Sequence, residues 1–133
     1  MNSSQAGNMA VAAVLAALVR NGKEVLVPFG DAQRYDLVTL DGANAVRIQV
    51  KKGRLCRGRT VLRFDTCSQS RNCPRRDYRG DADLFAVYCV ELDKVYVIPV
   101  IDAPIAGCQL RLAPSKNNQR DGIRWAKDFE LGS

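Results

Sequence analysis

The feature that most constrains the fold of this chain is a tight turn between two predicted strands. Asp41-Gly42 is a strong signal for a β-hairpin, and it lies between the strand-like stretches at residues 35–38 and 46–50. A hairpin returns the second strand alongside the first, so side chains that are distant along the chain become neighbours. The sequence therefore predicts a sheet built around this pair of strands.

Polar side chains fall at specific positions in the two predicted strands. Asp36 begins the first strand, and the second ends in Gln49, Val50 and Lys51. Side chains alternate between the two faces of a strand, so Gln49 and Lys51 share one face while Val50 points to the other. The acid of Asp36, the amide of Gln49 and the ammonium of Lys51 can then lie close together at one point of the sheet. Metal-assisted phosphodiester cleavage needs this combination, because a carboxylate holds a hard cation and a lysine orients water and stabilises negative charge.

The same residues also have a purely structural interpretation. Arg47, Gln49 and Lys51 alternate with apolar residues, which is equally typical of the solvent face of an edge strand. Asp36 at the start of an apolar strand needs a partner or a metal, and an ion pair with Lys51 is the simplest partner.

The ordered pattern resembles the PD-(D/E)xK nuclease superfamily. Asp36 falls at the first acid of the motif, and Gln49-Val50-Lys51 falls at the (D/E)xK element with Gln in place of the acid. More closely, the chain is similar to the small endonucleases encoded in group I introns of cyanobacteria and to their bacterial relatives. The stretches that carry this resemblance are residues 30–37, 46–51, 95–100, 117–119 and 123–126.

The resemblance implies a site-specific, divalent-metal-dependent DNA endonuclease of the homing type, with a restriction-endonuclease-like core. Mg²⁺ is the expected ion, with Mn²⁺ as a substitute. Asp36, Gln49 and the carbonyl of Val50 are the implied metal ligands. Lys51 is implied to position or activate the attacking water.

Asn8 is a further candidate catalytic residue. In the resembling family the first helix supplies a Glu directly after a Gly, whereas here Gly7 is followed by Asn8. An amide offers an oxygen without negative charge and binds cations less well than a carboxylate. A polar residue near the start of a helix accounts equally well for Asn8.

Positive charge is concentrated in one block of the sequence. Residues 51–79 carry ten of the twenty Lys and Arg residues but two of the fourteen acidic ones, in a chain whose net charge is +6. Such a block usually marks a surface for a polyanion, although a solvated basic loop has the same composition. The candidate nucleic-acid-binding residues are Lys52, Arg54, Arg57, Arg59, Arg71, Arg75, Arg76, Asn117 and Gln119.

The order of the predicted elements indicates an α/β fold with a mixed central β-sheet, flanked by an N-terminal and a C-terminal helix. The first helix is predicted over residues 5–20 with Ser3 or Ser4 as its N-cap, and the closing helix over residues 123–131. Residues 68–80 are predicted to form a polar, basic loop.

Composition excludes several other classes of protein. The chain of 133 residues is expected to form one domain over residues 1–133. It lacks His and has five cysteines without CxxC spacing, which argues against an ordinary zinc site and against Ser-His or Cys-His nucleophiles. The apolar run at residues 9–19 is too short to span a bilayer, and no signal peptide is recognised, so a cytoplasmic protein without a membrane partner is expected.

The expected partner is double-stranded DNA. Cutting both strands is most simply done by two active sites, so a homo-oligomer, either a dimer or a tetramer, is expected. Three alternatives stay open. One is a structure-specific nuclease resembling Holliday-junction resolvases. Another, suggested by Asn8 and Gln49, is a non-catalytic DNA-binding protein with a decayed site. The third is a protein that binds or cuts RNA.

Overall fold

The computed structural model describes residues 1–70, 73–114 and 122–132. Its helix and strands in chain order are α1 Ser3–Arg20, β1 Glu24–Leu26, β2 Leu37–Asp41, β3 Asn44–Cys56, β4 Val61–Phe64, β5 Cys67–Ser70, β6 Cys73–Asp77, β7 Leu84–Cys89, β8 Lys94–Pro99 and β9 Cys108–Arg111. Short 3₁₀ helices lie at Val100–Asp102 and Ala126–Asp128. No helix in these ranges is both long enough and apolar enough to cross a membrane.

Strand β3 organises the larger sheet. Across the described ranges seven strands join this sheet, in the order β1-β2-β3-β4-β9, while β7 pairs with β3 and β8 with β7. The β3–β7 pair is parallel and its neighbours are antiparallel, so the sheet is mixed, as predicted. Strand β3 is 13 residues long, which lets it pair with β2 and then β4 along one edge and with β7 along the other.

The predicted hairpin is confirmed. Strands β2 and β3 are antiparallel up to the Asp41–Asn44 pair, and Gly42 adopts a φ of 61° in the two-residue connection. Glycine enters this left-handed region without a steric penalty, which is why a glycine suits the first position of such a turn. The second strand continues to Cys56 rather than ending at Lys51.

Helix α1 covers one face of the sheet. It packs against Leu37, Ile48 and Val50, in a cluster to which it contributes Ala10, Val14, Ala17 and Leu18. The N-cap is Asn2 rather than Ser3 or Ser4. The Asn2 side chain accepts from the Gln5 backbone at 2.9 Å, and Gln5 Oε1 accepts in return from the Asn2 backbone at 3.0 Å. This reciprocal capping box moves the start of the helix two residues upstream of the prediction.

The opposite face of the sheet carries the second hydrophobic cluster. Its largest fully buried members include Phe64, Phe85 and Tyr96. The rings of Phe64 and Phe85 meet edge to face, with centroids 5.7 Å apart. The sheet therefore has α1 on one face and an aromatic core on the other.

The prediction of a C-terminal helix is wrong. Residues 123–131 instead run along strand edges, with isolated bridges from Trp125 to Arg111 and from Glu130 to Tyr96. The backbone oxygen of Phe129 accepts from Val97 N at 2.8 Å. These bonds satisfy the exposed edges of β8 and β9, which a helix cannot do because its backbone groups are already paired internally. The 3₁₀ turn Ala126–Asp128 is the helical portion of this segment.

The prediction of a loop at residues 68–80 is also wrong, because strands form in this stretch. Strands β5 and β6 form an antiparallel ribbon, with Cys67 opposite Asp77 and Ser68 opposite Arg76. Because the ribbon pairs with itself rather than with the seven-stranded sheet, its sequence shows no alternation of apolar residues. Arg71 of this segment lies outside the described residues.

Candidate active site

The candidate site lies at a fork in the sheet. Strand β3 pairs with β2 as far as Ile48 and with β4 from Arg54 onward. At residues 49–53 no described strand pairs with β3 along this edge, while its other edge stays paired with β7. Asp36, just before β2, fills part of the gap. Its backbone N donates to Ile48 O at 2.8 Å, and its Oδ2 accepts from Val50 N at 2.9 Å.

Two predicted site side chains share one face at this fork, and Asp36 lies at the strand edge beside them. Gln49 and Lys51 are opposite Phe85 and Val87 of β7, which belong to the hydrophobic cluster away from α1, so both lie on that face. Asp36 precedes β2 and reaches the same stretch of β3 through its bonds to Ile48 and Val50. Gln49 Nε2 lies 3.4 Å from Val50 O, and this contact places the amide beside the carbonyl that was predicted to bind a metal.

The environment of Asp36 makes its negative charge costly. Burial raises the pKa of the Asp36 carboxyl above its ordinary value of 3.8. The hydrogen bond from Val50 N and the positive charge of Lys51 act in the opposite direction but do not cancel the effect of burial. A carboxylate held in this way would be stabilised by a cation. A perturbed acid in a polar fork is also a recognised signature of functional sites.

The donors at the fork fit a hard divalent cation. The Asp36 carboxylate, the Val50 carbonyl and the Gln49 amide are all potential oxygen donors, the last when its oxygen rather than its nitrogen faces the site. Mg²⁺ is commonly held by one or two carboxylates and completed by water and substrate phosphates. Within the described ranges no three His, Cys, Asp or Glu side chains cluster as a metal site. Of the three oxygen donors named at the fork, Asp36 is a carboxylate, and the Val50 carbonyl and the Gln49 amide are neutral.

Among the described residues, no side-chain hydrogen bond joins Asn8 to this group. It is exposed in α1, which packs on the Val50 side of the sheet. Gln49 and Lys51 lie on the other side. The role predicted for Asn8 stays a prediction.

Four of the predicted DNA-binding residues lie near the turn between β3 and β4. Lys52, Arg54, Arg57 and Arg59 are all exposed. Arg57, Gly58 and Arg59 have successive positive φ angles of 53°, 64° and 67°. Two non-glycine residues in this region carry a backbone strain of about 1–2 kcal/mol each, and stored strain of this kind clusters at functional sites.

Two further predicted residues lie on strand β6 of the ribbon. Arg75 and Arg76 are exposed, and Arg76 Nη2 lies 3.3 Å from Asp81 Oδ2. Asn117 and Gln119, like Arg71, lie outside the described residues.

Sequence reasoning missed Arg34 as a site residue and left Tyr78 without a role. Lys51 Nζ lies 3.2 Å from the Tyr78 hydroxyl, and the Arg34 guanidinium carbon lies 4.0 Å from the centre of the same ring. Arg34 precedes Asp36 by two residues, and this spacing was the available signal. The position of Tyr78 depends on the fold of the ribbon, which the sequence did not indicate.

Comparison with known proteins identifies the family. A family model described as PD-(D/E)XK endonuclease matches residues 1–132. The chain belongs to the PD-(D/E)XK endonuclease family. Its α/β fold is restriction-endonuclease-like, as the resemblance implied, except that the described residues 122–132 form no α-helix.

A solved structure to which this chain is similar is that of a bacterial homing endonuclease, I-Ssp6803I. The two chains are 26% identical, and the TM-score is 0.74, with 98% of this chain and 89% of that chain covered. A search of curated proteins found no match. The family and this neighbour confirm the prediction of a nuclease.

Proposed function

We propose that this PD-(D/E)XK protein is a divalent-metal-dependent, site-specific DNA endonuclease. The observation that carries the proposal is the fork, where Asp36 Oδ2 lies 2.9 Å from Val50 N, between Gln49 and Lys51, whose side chains share one face of β3. Nucleases of this family generally use divalent metals to hydrolyse phosphodiester bonds. Family membership therefore supports a role for this arrangement in metal-assisted DNA hydrolysis. Similarity to a homing endonuclease supports a duplex DNA target with a defined sequence.

Each residue at the fork has a proposed role. Asp36 would hold Mg²⁺, or Mn²⁺ in its place, together with the Val50 carbonyl and the Gln49 amide oxygen. The bound cation would supply positive charge against the scissile phosphate. The Lys51 ammonium would orient the attacking water and stabilise the negative charge that develops on the phosphate oxygens.

The basic residues would hold the DNA. Arg57 and Arg59 are exposed at the β3–β4 turn, and Arg75 and Arg76 are exposed on β6 of the ribbon. Arginine suits both phosphates and guanine edges because its guanidinium makes paired hydrogen bonds. A homo-oligomer, a dimer or a tetramer, would place one active site on each strand.

A second candidate is a DNA-binding protein that no longer cuts. The observation that favours it is the single carboxylate at the fork, since Gln49 occupies the position of the second motif acid and Asn8 is neutral. This protein would bind DNA with the same basic surface and leave it intact in Mg²⁺ or Mn²⁺.

Cleavage by the unaltered chain separates the two candidates, and replacing Lys51 by alanine tests the proposed role of that residue. With a pool of duplexes of randomised sequence as substrate, Lys51→Ala should lower cleavage by about 10²–10³-fold or more, the usual effect of removing one charge-stabilising group. DNA affinity should stay largely intact. The matched control is Lys23→Ala, an exposed lysine just after α1. Unchanged cleavage by Lys51→Ala removes Lys51 from the site, and binding without cleavage by the unaltered chain favours the second candidate.

A further inference from the structure

Tyr78 is a buried tyrosine whose hydroxyl faces the candidate catalytic lysine. Its exposed fraction is 5%. Lys51 Nζ lies 3.2 Å from the hydroxyl and 4.6 Å from the centre of the ring. The ring also packs edge to face on Phe85, with centroids 5.6 Å apart and an interplanar angle of 85°. The aromatic core thus fixes the ring, and the ring offers the ammonium both a hydroxyl oxygen and a π-face.

Arg34 holds the same ring from another direction. Its guanidinium carbon lies 4.0 Å from the ring centre. The guanidinium donates to Ser68 Oγ on β5 at 2.6 Å and to Arg76 O on β6 at 3.1 Å, and it forms an ion pair with Asp81. Arg34 therefore ties both strands of the ribbon to the segment that leads into Asp36.

We propose that Tyr78 is a positioning residue for Lys51, and that Arg34 holds Tyr78 in place by fixing the ribbon beside the fork. The inference rests on the proposed catalytic role of Lys51. It adds to that role a pair of residues, and it makes the ribbon part of the support of the active site rather than a separate DNA-binding element.

The physical reason is the flexibility of a lysine side chain. Immobilising a lysine costs about 1.5–2 kcal/mol of side-chain entropy, so an unsupported ammonium spends little time in one geometry. A hydrogen bond to a buried hydroxyl, together with a cation–π contact, selects one position for Nζ. Arg34 suits the role of holding the ribbon because its planar guanidinium makes several hydrogen bonds at once in a fixed geometry, which a lysine ammonium cannot reproduce.

The test is Tyr78→Phe, which removes the hydroxyl and keeps the ring. Its matched control is Tyr88→Phe, because Tyr88 packs on the face of the sheet that α1 covers, opposite to Lys51, and its hydroxyl bonds Asp93 at 2.9 Å in the turn between β7 and β8. Single-turnover cleavage by Tyr78→Phe should slow by about tenfold, the effect expected when a charged group loses one hydrogen bond. DNA affinity and thermal stability should stay close to those of the unaltered chain, and Tyr88→Phe should cut at the unaltered rate.

A second readout does not depend on cleavage. In a proton–nitrogen correlation spectrum of the lysine ammonium groups, Tyr78→Phe should shift or broaden the Lys51 signal, whereas Tyr88→Phe should leave it in place. Arg34→Lys should disturb the same signal, because lysine cannot reproduce the bonds to both ribbon strands.

The two proposals fail in different ways. If Lys51→Ala is inactive while Tyr78→Phe cuts at the unaltered rate, or if Tyr78→Phe leaves the Lys51 signal unchanged, the positioning role is overturned and the proposed function stands. If the unaltered chain binds DNA and cuts none, the proposed function fails and the positioning role fails with it.

Discussion

Replacing Gly53 by alanine tests how closely β3 is packed beside the candidate site. The added Cβ would lie 2.7 Å from Leu62 Cδ1 and 2.9 Å from Val87 Cγ1, separations below 3.0 Å that real Cβ atoms essentially never show. Leu62 and Val87 are both 0% exposed, so neither side chain can swing into solvent to make room. The clash lies on the face that carries Lys51, because residues two apart in a strand share a face.

The expected cost follows from these contacts. Inserting a methyl group into a well-packed core typically costs about 1–3 kcal/mol. Gly→Ala also removes freedom from the unfolded chain and recovers about 0.4–1 kcal/mol when the backbone is compatible. Gly53 is not among the residues with positive φ, so no backbone strain is added. The net prediction is a loss of about 1.3 kcal/mol in the free energy of unfolding, the difference between the midpoints of those two ranges.

Urea unfolding followed by the fluorescence of Trp125 measures this loss. The matched control is Gly7→Ala in α1, where no atom lies within 4 Å of the added Cβ. The control should gain about 0.5–1 kcal/mol, since alanine is the better helix former. An unchanged midpoint for Gly53→Ala, or an equal loss in Gly7→Ala, would refute the packing argument. Cleavage by Gly53→Ala should also slow, because a shift of β3 displaces Lys51.

Three further predictions concern the fork and the ribbon. Burial raises the pKa of Asp36 above 3.8, which means that the folded state binds this proton more tightly than the unfolded state does. Proton binding therefore stabilises the folded state at low pH, and this stabilisation is lost as the pH rises through the folded pKa. Asp36→Asn should therefore be more stable than the unaltered chain at neutral pH, with the advantage vanishing in acid, as thermal unfolding across pH will show. The same variant should lose the stabilisation by Mn²⁺, which for the unaltered chain reaches about 2.7 kcal/mol at a hundred times the Kd. Arg75→Ala with Arg76→Ala should weaken DNA binding and reduce the salt slope by about 2, and an unchanged slope would remove the ribbon from the DNA surface. Gln49→Glu should lower the Mn²⁺ concentration needed for half-maximal thermal stabilisation, because it adds a second carboxylate, and a higher requirement would contradict the proposed ligand role.

Features specified by neighbouring residues could be predicted from the sequence. The Asp41-Gly42 turn is a local signal, and it fixed the pairing of β2 with β3. Alternation along β3 then gave the shared face of Gln49 and Lys51. The structure brings these residues together with Asp36, as a hairpin requires.

Features specified by distant parts of the chain were missed. Trp125 and Phe129 are four residues apart, which suits a helix, yet their segment pairs with the free edges of β8 and β9. Nothing near the segment in sequence reveals those edges. Likewise the β5–β6 ribbon is tied down by Arg34 rather than by an apolar stripe, so its sequence resembles a loop.

The most direct test of the central claim is cleavage of a plasmid library of randomised sequence in Mg²⁺, with and without a chelator. The unaltered chain should be compared with Asn8→Glu, which restores the acid expected on the first helix. The account predicts discrete fragments that require Mg²⁺ and share one recognition sequence, with a higher yield from Asn8→Glu. Intact plasmid from both proteins, with DNA still bound, would contradict it and leave a DNA-binding protein without nuclease activity.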